Sequence, residues 1–297
     1  MITVIAYAKI NLGLRILGNR PDGFHDIETV FHRVNIYDEM IVSPSSTLSL
    51  ICTDPGIPTD EGNLCIRAAI LLREMCHCEA GARIELRKKI PVGAGLGGGS
   101  ADAAASLLAL NDCWKCGVTK KSLRQIALRL GSDVPYFLET TSAHATGRGE
   151  LLTSFHLDLP YWIVVVHPGI HISTAWAYDH AGISHPSPVG DSRPSLMEIV
   201  RANVGDIRKL APVLQNDLEQ VVFRDYPEVA NVKATLLESG AELALMSGSG
   251  SAVYALFRHE ADATHTAESM QERYRVFITP PHFEVPSVLQ RTPQPEH

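Results

Sequence analysis

Apolar and polar positions along the chain follow two periods, and the period predicts which segments form strands and which form helices. Apolar residues alternate with polar ones in several short stretches before residue 90, as they do in half-buried strands. This alternation predicts strands at residues 3–8, 33–35, 40–42, 48–52 and 84–86. A helix over residues 63–75 is predicted from the helical spacing of Leu64, Ala68, Leu71, Leu72 and Met75. The N-terminal half is therefore predicted to begin with β-structure.

Two more helices are predicted between residues 100 and 131. Residues 101–110 are dominated by Ala and Leu and contain no β-branched residue, a composition that favours a helix. In the next helix, Thr119 is a suitable N-cap and Gly131 ends the helix. Its apolar residues fall on one face, at Leu123, Ile126, Ala127 and Leu130. This helix leads directly to Ser132 and Asp133.

The C-terminal half alternates between predicted strands and helices. It begins with a strand at residues 162–167, and a loop rich in Pro, Ser and Gly follows at residues 182–194. Helices are then predicted at residues 196–200, 206–214, 217–224, 228–239 and 261–274, and strands at residues 243–246, 253–257 and 276–279. The proline-rich tail from residue 280 is predicted to be loosely held.

These elements predict an α+β fold with two domains, because a chain of 297 residues is long enough for two cores. We place an N-terminal domain at residues 1–160, a C-terminal domain at residues 161–283 and a loosely ordered tail at residues 284–297. The chain carries 26 Lys and Arg against 33 Asp and Glu, a net charge of -7. This balance does not favour binding to nucleic acid or to an anionic membrane surface. With no signal or transit segment and no apolar run that could span a bilayer, a cytoplasmic protein is expected.

Six cysteines raise the question of a metal site. The pairs Cys76 with Cys78 and Cys113 with Cys116 could in principle supply four thiolates to a zinc ion. The single-residue gap in the first pair is unusual for zinc, and both pairs fall at predicted helix ends. We therefore favour the alternative that these residues are small hydrophobic side chains.

The glycine-rich stretch from Pro91 to Ser100 is the most informative motif. It holds five glycines between a predicted strand and a predicted helix. Glycine lets backbone N–H groups point at a phosphate, and the start of the helix adds unpaired N–H groups and a positive dipole end. A flexible connector is the alternative, but proline and a strong helix former bound the stretch tightly. The stretch therefore predicts an anion site.

Two well-known phosphate loops fit this stretch poorly. Gly93, Gly95 and Gly98 satisfy G-x-G-x-x-G, but a dinucleotide fold places that motif after the first strand and an acidic residue at the end of the second. A Walker A loop needs a lysine where Gly99 stands before Ser100. The phosphate charge would therefore be balanced by backbone dipoles, a metal ion and a lysine from elsewhere in the chain.

Residues 91–101 resemble the phosphate loop of the GHMP kinases, the family of galactokinase, homoserine kinase and mevalonate kinase. Residues 8–12, 20–25 and 131–135 are similar to motifs of the members of this family that act in isoprenoid biosynthesis by the methylerythritol phosphate route. The resemblance implies a two-domain GHMP kinase fold, with an N-terminal domain like the second domain of ribosomal protein S5 and a ferredoxin-like C-terminal domain. The active site would lie between them.

The resemblance also implies a reaction and its partners. The reaction is the ATP-dependent phosphorylation of the C2 hydroxyl of a small-molecule substrate, 4-diphosphocytidyl-2-C-methyl-D-erythritol. ATP and Mg²⁺ would be the cofactors. The enzyme would be a monomer or weak homodimer. Two alternatives remain open. One is another GHMP small-molecule kinase, of the homoserine or mevalonate type. The other is a nucleotide-binding or RNA-binding module without catalysis, against which the negative charge and the presence of both Lys9 and Asp133 argue.

By this resemblance Asp133 accepts or orients the proton of the substrate hydroxyl, and Lys9 keeps that carboxylate ionised. On their residue types alone, Lys9 could equally extend outward to solvent and Asp133 could be a cap or turn residue. ATP would contact Asn63, Pro91, Gly93, Gly95, Leu96, Gly97, Gly98, Gly99 and Ser100, and Ser100 would also be a ligand of Mg²⁺.

The substrate would contact Asn11, Phe24, His25, Asp133, Gly248 and Ser249. A lone loop histidine such as His25 is usually solvated, and the glycines around Ser249 could form only a hairpin turn. Phe24 stands where the family commonly has Tyr, so stacking on the cytosine is retained but any contact made by the tyrosine hydroxyl is lost.

Overall fold

The computed structural model describes residues 1–181, residues 193–286 and the backbone of residues 289–291. The strands are β1 (Ile2–Asn19), β2 (His25–Ser45), β3 (Leu48–Cys52), β4 (Gly81–Arg87), β5 (Ser142–Thr146), β6 (Leu151–Phe155), β7 (Trp162–His167), β8 (Leu243–Met246), β9 (Val253–Phe257), β10 (Arg275–Thr279) and β11 (Leu289–Arg291). The helices are α1 (Leu64–Cys76), α2 (Gly98–Cys113), α3 (Lys120–Leu130), α4 (Thr174–His180), α5 (Leu196–Asn203), α6 (Ile207–Leu210), α7 (Glu219–Asp225), α8 (Pro227–Glu238) and α9 (Glu260–Met270), with a 3₁₀ helix at Val134–Leu138. Most of the predicted loop at residues 182–194 lies outside the described residues.

The first sheet has the strand order β11-β1-β2-β4-β3, and β5 and β6 extend it from β2. Strands β1 and β2 are far longer than the alternation predicted, because the alternation is lost where β1 is buried on both faces. Register shifts between Tyr7 and Lys9 and between Asn11 and Leu14 interrupt their antiparallel pairing. Such irregularities redirect side chains, and Lys9 and Asn11 lie between these two.

Helices α1, α2 and α3 pack on the first sheet through a core cluster to which all three contribute. The predicted caps of α3 are confirmed, since Thr119 Oγ1 accepts a hydrogen bond from Ser122 N and Gly131 N donates to Ala127 O. Helix α2 begins three residues before the predicted position, because the glycines at its start already adopt helical geometry. Within the described residues, no helix is long and apolar enough to cross a membrane.

The second sheet has the order β10-β7-β9-β8, with every pair antiparallel. One of its core clusters joins it to the first sheet, because Ile10 and Val34 of the first sheet pack in the same cluster as Val165 and Tyr254 of the second. In the segment predicted to be a loosely held tail, β11 pairs with β1. The domain limits themselves stay a prediction.

Candidate active site

A cavity of about 720 Å³ opens between the two halves of the chain. Side chains of β1, the loop before β2 and the phosphate loop line it from the N-terminal half, and residues of α4 and the turn after β8 line it from the C-terminal half. The predicted site residues that line this cavity are Lys9, Asn11, Phe24, His25, Asn63, Pro91, Gly93, Gly95, Gly97, Gly98, Gly99, Ser100, Asp133, Gly248 and Ser249. Leu96 differs, because its side chain is 1% exposed and packs in the core.

The phosphate loop needs glycine at several of its positions. Gly93, Gly95 and Gly97 have φ of 63°, 75° and 72°, in the region that favours glycine. A Cβ on Gly95 would collide with the carbonyl oxygen of Ser247, and one on Gly97 would lie 2.6 Å from Cζ of Phe137. The backbone of the loop is held on both sides of Gly95, since Lys9 N donates to Leu96 O at 3.0 Å and Ala252 N donates to Ala94 O at 3.1 Å.

The start of α2 faces the cavity with free backbone donors. Its N-cap is Gly97, which supplies no side-chain acceptor, so no side chain of the described residues caps the first N–H groups of the helix. Gly98, Gly99 and Ser100 all line the cavity. A Cβ on Gly99 would meet a single side-chain atom, at 3.8 Å. Unpaired N–H groups and the positive end of the helix dipole make this point suited to an anion.

Lys9 lies beside this anion site and is fully enclosed. Its side chain is 4% exposed, and Nζ donates to Asn11 Oδ1 at 2.7 Å and to Gly95 O at 2.9 Å. Nζ is 3.8 Å from Asp133 Oδ2. Burial lowers the pKa of Lys9, whereas the charge of Asp133 raises it. The structure therefore places Lys9 inward, against the alternative of a lysine extended to solvent.

Asp133 precedes the 3₁₀ helix Val134–Leu138, and its side chain makes no capping hydrogen bond there. This rules against the alternative that the carboxylate serves as a cap. The side chain is 34% exposed, in contrast to the enclosed ammonium of Lys9. Asp133 therefore presents a carboxylate to the cavity while Lys9 supports it from the protein side.

The turn at residues 247–250 completes the site from the C-terminal half. Ser247 Oγ donates to Gly95 O at 2.9 Å, and Ser249 Oγ is hydrogen-bonded to Thr174 Oγ1 at 3.0 Å. Asn216 Nδ2 donates to Met246 O at 2.8 Å and to Gly248 O at 2.7 Å. The turn is therefore fastened to the phosphate loop and to α4, which a simple hairpin turn would not require.

Aromatic rings gather at another part of the cavity wall. His25 stacks on Tyr178, with ring centres 5.2 Å apart and an angle of 30° between the planes. Phe24 is 52% exposed, and the guanidinium carbon of Arg148 lies 4.7 Å from its ring centre. Burial raises the pKa of Tyr178, and the charges of Asp133 and Asp217 act in the same direction. Aromatic rings that line a cavity, as these three do, suit a flat heterocyclic ligand.

Several residues that line the cavity were not predicted from the sequence, among them Lys88 and Asp102. Lys88 donates to Asp38 and, at 2.7 Å, to Asp102 Oδ2. Burial, together with the nearby charge of Asp38, raises the pKa of Asp102 to about 7, although Lys88 opposes the shift. Asp102 Oδ1 has no hydrogen-bond partner among the described residues. A signal existed for Asp102, since a carboxylate in an otherwise Ala- and Leu-rich helix two residues after Ser100 is unusual.

None of the six cysteines lines the cavity. All six are free thiols, and Cys116 lies beside Cys76 and Cys78. Burial raises the pKa of Cys116 to about 12, and the two neighbouring thiols add to the shift. In the part of the chain that the structure describes, no three His, Cys, Asp or Glu side chains are arranged to hold a metal ion.

Comparison with known families decides between the possible phosphate-binding folds. The model of the GHMP kinases N terminal domain matches residues 63–140, and that of the GHMP kinases C terminal domain matches residues 195–276. The chain belongs to the GHMP kinase family. The predicted two-domain GHMP kinase fold is thereby confirmed, and ATP is the phosphate donor of this family.

Some relatives are similar to this chain over nearly its whole length. The chain is 46% identical over 283 residues to 4-diphosphocytidyl-2-C-methyl-D-erythritol kinase of Prosthecochloris aestuarii, over 95% of this chain and 98% of the relative. It is 47% identical over 285 residues to the protein of the same name from Chlorobium luteolum, with the same coverage.

Solved structures with the same fold are also known. A crystal structure of 4-(cytidine 5'-diphospho)-2C-methyl-D-erythritol kinase has a TM-score of 0.78 and 36% identity, over 93% of this chain and 98% of that one. Homoserine kinase from Cytophaga hutchinsonii shares the fold. Its structure has a TM-score of 0.65 and 21% identity, over 94% of this chain and 95% of that one.

Proposed function

We propose that the chain transfers the γ-phosphate of ATP to the C2 hydroxyl of 4-diphosphocytidyl-2-C-methyl-D-erythritol. The observation that carries the proposal is the pair of Lys9 and Asp133, with Nζ and Oδ2 3.8 Å apart, in a cavity that is also lined by an anion site and aromatic rings. The relatives named for this reaction, at 45–47% identity over 95% of the chain, support the choice of substrate.

Asp133 is proposed to accept or orient the proton of the attacking hydroxyl. Its partly exposed carboxylate can reach a ligand in the cavity. Lys9 would keep this carboxylate ionised, and its ammonium would also offset negative charge that develops on the transferred phosphoryl group. Phosphoryl transfer needs mainly positioning and electrostatic stabilisation, so this pair supplies the groups the reaction requires.

The phosphates of ATP are proposed to lie against the free N–H groups at the start of α2. Asn63 lines the same cavity, and its side chain is held by a 2.7 Å hydrogen bond from Nδ2 to Pro58 O. We place the adenine beside this residue.

The side-chain oxygen atoms near the start of α2 fit Mg²⁺. This ion prefers hard oxygen ligands and is commonly held by substrate phosphates with few protein groups. The hydroxyl of Ser100 would hold it together with phosphate oxygens and water, and the unpartnered Oδ1 of Asp102 is a further oxygen on the same helix. When bound, the ion would neutralise charge on the phosphates.

The cytosine is proposed to stack among the rings of Phe24, His25 and Tyr178. The ring of Phe24 is exposed, and His25 and Tyr178 are already stacked on each other. Stacking depends on the ring faces, so the absence of a hydroxyl on Phe24 leaves it intact. The imidazole of His25 adds hydrogen-bonding groups that can read a pyrimidine edge.

Kinetics of the purified enzyme test this proposal. The wild type should phosphorylate 4-diphosphocytidyl-2-C-methyl-D-erythritol in preference to homoserine and mevalonate. Asp133→Asn should lower kcat by about 100-fold or more, the usual scale for a positioned acid or base, and leave the substrate KM within about 3-fold. Lys9→Met should also lower kcat. Asp262→Asn and Lys121→Met, at exposed positions outside the cavity, serve as matched controls and should be as active as the wild type.

Two results would contradict the proposal. Turnover of homoserine or mevalonate above that of the cytidylated substrate would show that the substrate is wrong. Near-normal kcat in Asp133→Asn would show that the carboxylate has no part in the chemistry.

A further inference from the structure

Arg148 lines the cavity but has no part in the proposed function. It lies in the turn between β5 and β6, between Gly147 and Gly149, whose φ values are 68° and 102°. Ile27 N donates to Gly147 O at 2.7 Å, and Arg148 N donates to Glu150 Oε2 at 2.5 Å. The turn is therefore fixed to the start of β2 and by its own glutamate.

This turn adjoins the proposed catalytic carboxylate. A Cβ on Gly149 would lie 3.5 Å from Asp133 Oδ1, and Arg148 lines the cavity together with Asp133 and His25. Its guanidinium lies over the ring of Phe24, with 4.7 Å from Cζ to the ring centre. A cation in this position is attracted to the face of the ring.

The guanidinium forms an ion pair with Glu150, but among the described residues it makes no hydrogen bond. Nε is buried and has no hydrogen-bond partner. Its nearest acid, Oε1 of Glu150, is 3.7 Å away, which exceeds hydrogen-bond distance. No hydrogen bond from the side chain of Arg148 reaches any described residue. A buried donor without a partner is costly, and a ligand that accepts hydrogen bonds would relieve this cost.

The other cations of the cavity wall are already committed. Among the described residues that line the cavity, the Lys and Arg side chains are Lys9, Lys88 and Arg148. Lys9 is engaged by Asn11, Gly95 O and Asp133. Lys88 is held between Asp38 and Asp102. Arg148 is therefore the lining cation in the described part of the chain with donors left for an anion.

We propose that Arg148 binds the diphosphate of the acceptor substrate and thereby favours acceptors that carry a nucleoside diphosphate. The proposal rests on the proposed function. Arginine matches phosphate oxygens with two parallel donors. Its position over Phe24, one of the rings assigned to the cytosine, puts it near the proposed acceptor site. The phosphates of ATP are instead assigned to the N–H groups at the start of α2.

Steady-state kinetics and a binding titration test the proposal. Arg148→Gln should raise the KM for the cytidylated acceptor by about 10- to 100-fold, the scale of a lost charge-assisted hydrogen bond. Its kcat and its KM for ATP should stay within about 3-fold of wild type. Arg148→Lys should recover part of the loss, because a lysine keeps the charge without the planar fork. In calorimetric titrations, Arg148→Gln should weaken binding of cytidine 5'-diphosphate and leave binding of cytidine unchanged.

Arg258→Gln is the matched control. Arg258 also lies over an aromatic ring, 5.5 Å from that of Tyr161, and pairs with a glutamate, but it does not line the cavity. This variant should have wild-type values throughout, and all variants should melt within a few degrees of wild type.

Three outcomes would overturn the proposal. They are an unchanged acceptor KM in Arg148→Gln, a rise in the KM for ATP instead, and equal weakening of cytidine and cytidine 5'-diphosphate binding. If the wild type does not turn over the cytidylated acceptor, the proposed function fails. The titration still decides whether Arg148 recognises a nucleoside diphosphate.

Discussion

At the scale of single residues, burial decides what a titratable side chain can do. Lys9 and Arg148 carry the same formal charge and line one cavity. Lys9 is enclosed and its donors are occupied, so it acts on Asp133 and the phosphate loop. Arg148 has a donor without a partner. In the proposed reaction the two cations therefore serve different ends, one at the transferred group and one at the acceptor.

His32 of β2 makes the stability of the fold depend on pH. It is 4% exposed, its Nδ1 is hydrogen-bonded to Ser142 Oγ at 2.9 Å, and burial lowers its pKa to about 4. In the unfolded chain its pKa returns to about 6.5. Between these values the unfolded state binds a proton that the folded state does not, so the stabilising contribution is present above pH 6.5 and is lost as the pH falls towards 4.

We therefore expect the free energy of unfolding to fall by about 2 kcal/mol more in the wild type than in His32→Gln between pH 7 and pH 4.5. Urea unfolding at a series of pH values measures this difference. His265→Gln, at an exposed position on α9, is the control and should follow the wild type. Parallel curves for the wild type and His32→Gln would contradict the prediction.

At the scale of elements, the site depends on close contact between the phosphate loop and the turn at residues 247–250. Gly95 and Gly117 both have positive φ, at 75° and 64°. An added Cβ would strike Ser247 O in the first case and would meet nothing within 4 Å in the second. Comparing the two positions separates backbone strain from the contact between the elements.

Gly117→Ala should cost about 1 kcal/mol of unfolding free energy through backbone strain alone. Gly95→Ala should cost about 2 kcal/mol more, because the loop and the turn must move apart. It should also raise the KM for ATP, since the loop no longer presents its N–H groups in place. Urea unfolding and ATP kinetics on both variants measure this. Equal losses in the two variants would mean that the contact does not matter.

Elements with strong local signals could be predicted from the sequence. Helix α3 is one, because Thr119 and Gly131 mark its ends and its apolar residues share one face. Strands β5 and β6, helix α4 and the 3₁₀ helix after Asp133 were missed, since each is short and is held by its neighbours rather than by its own pattern. Strand β1 was predicted too short because burial on both faces removes its alternation.

Residues of the candidate site could likewise be predicted only where the sequence carries a local signal. Its residues that lie in continuous motifs, such as Lys9, His25 and Asp133, could be found from the sequence. Lys88, Arg148 and Tyr178 could not, because their importance comes from neighbours that lie far away in the chain. Lys88 needs Asp38, 50 residues away, to hold it, and Tyr178 becomes part of the site only when it stacks on His25.

At the scale of the whole molecule, the two sheets share a core and should unfold together. Tyr254 of β9 is fully buried, and its hydroxyl donates to Asn11 O of β1 at 2.9 Å. A core cluster contains residues of both sheets. The cavity between the halves of the chain is therefore set in a single packed unit.

Calorimetry should give one unfolding transition, with van't Hoff and calorimetric enthalpies that agree. Tyr254→Phe should lower its Tm by about 3 °C, as expected for the loss of one buried hydrogen bond in a chain of this size, without splitting it. Tyr274→Phe removes a hydroxyl bonded to Glu228 within the C-terminal half alone and should have a smaller effect. Two resolved transitions in the wild type would contradict a shared core.

The bond from Tyr254 to Asn11 also affects how the chain folds during its synthesis. The partners are 243 residues apart, so most of the protein must leave the ribosome before the middle of β1 can complete its contacts. Because β1 carries Lys9 and Asn11, the proposed catalytic site is assembled at the end of translation rather than at its beginning. A nascent chain would bind neither ATP nor acceptor until its second half had folded around its first strand.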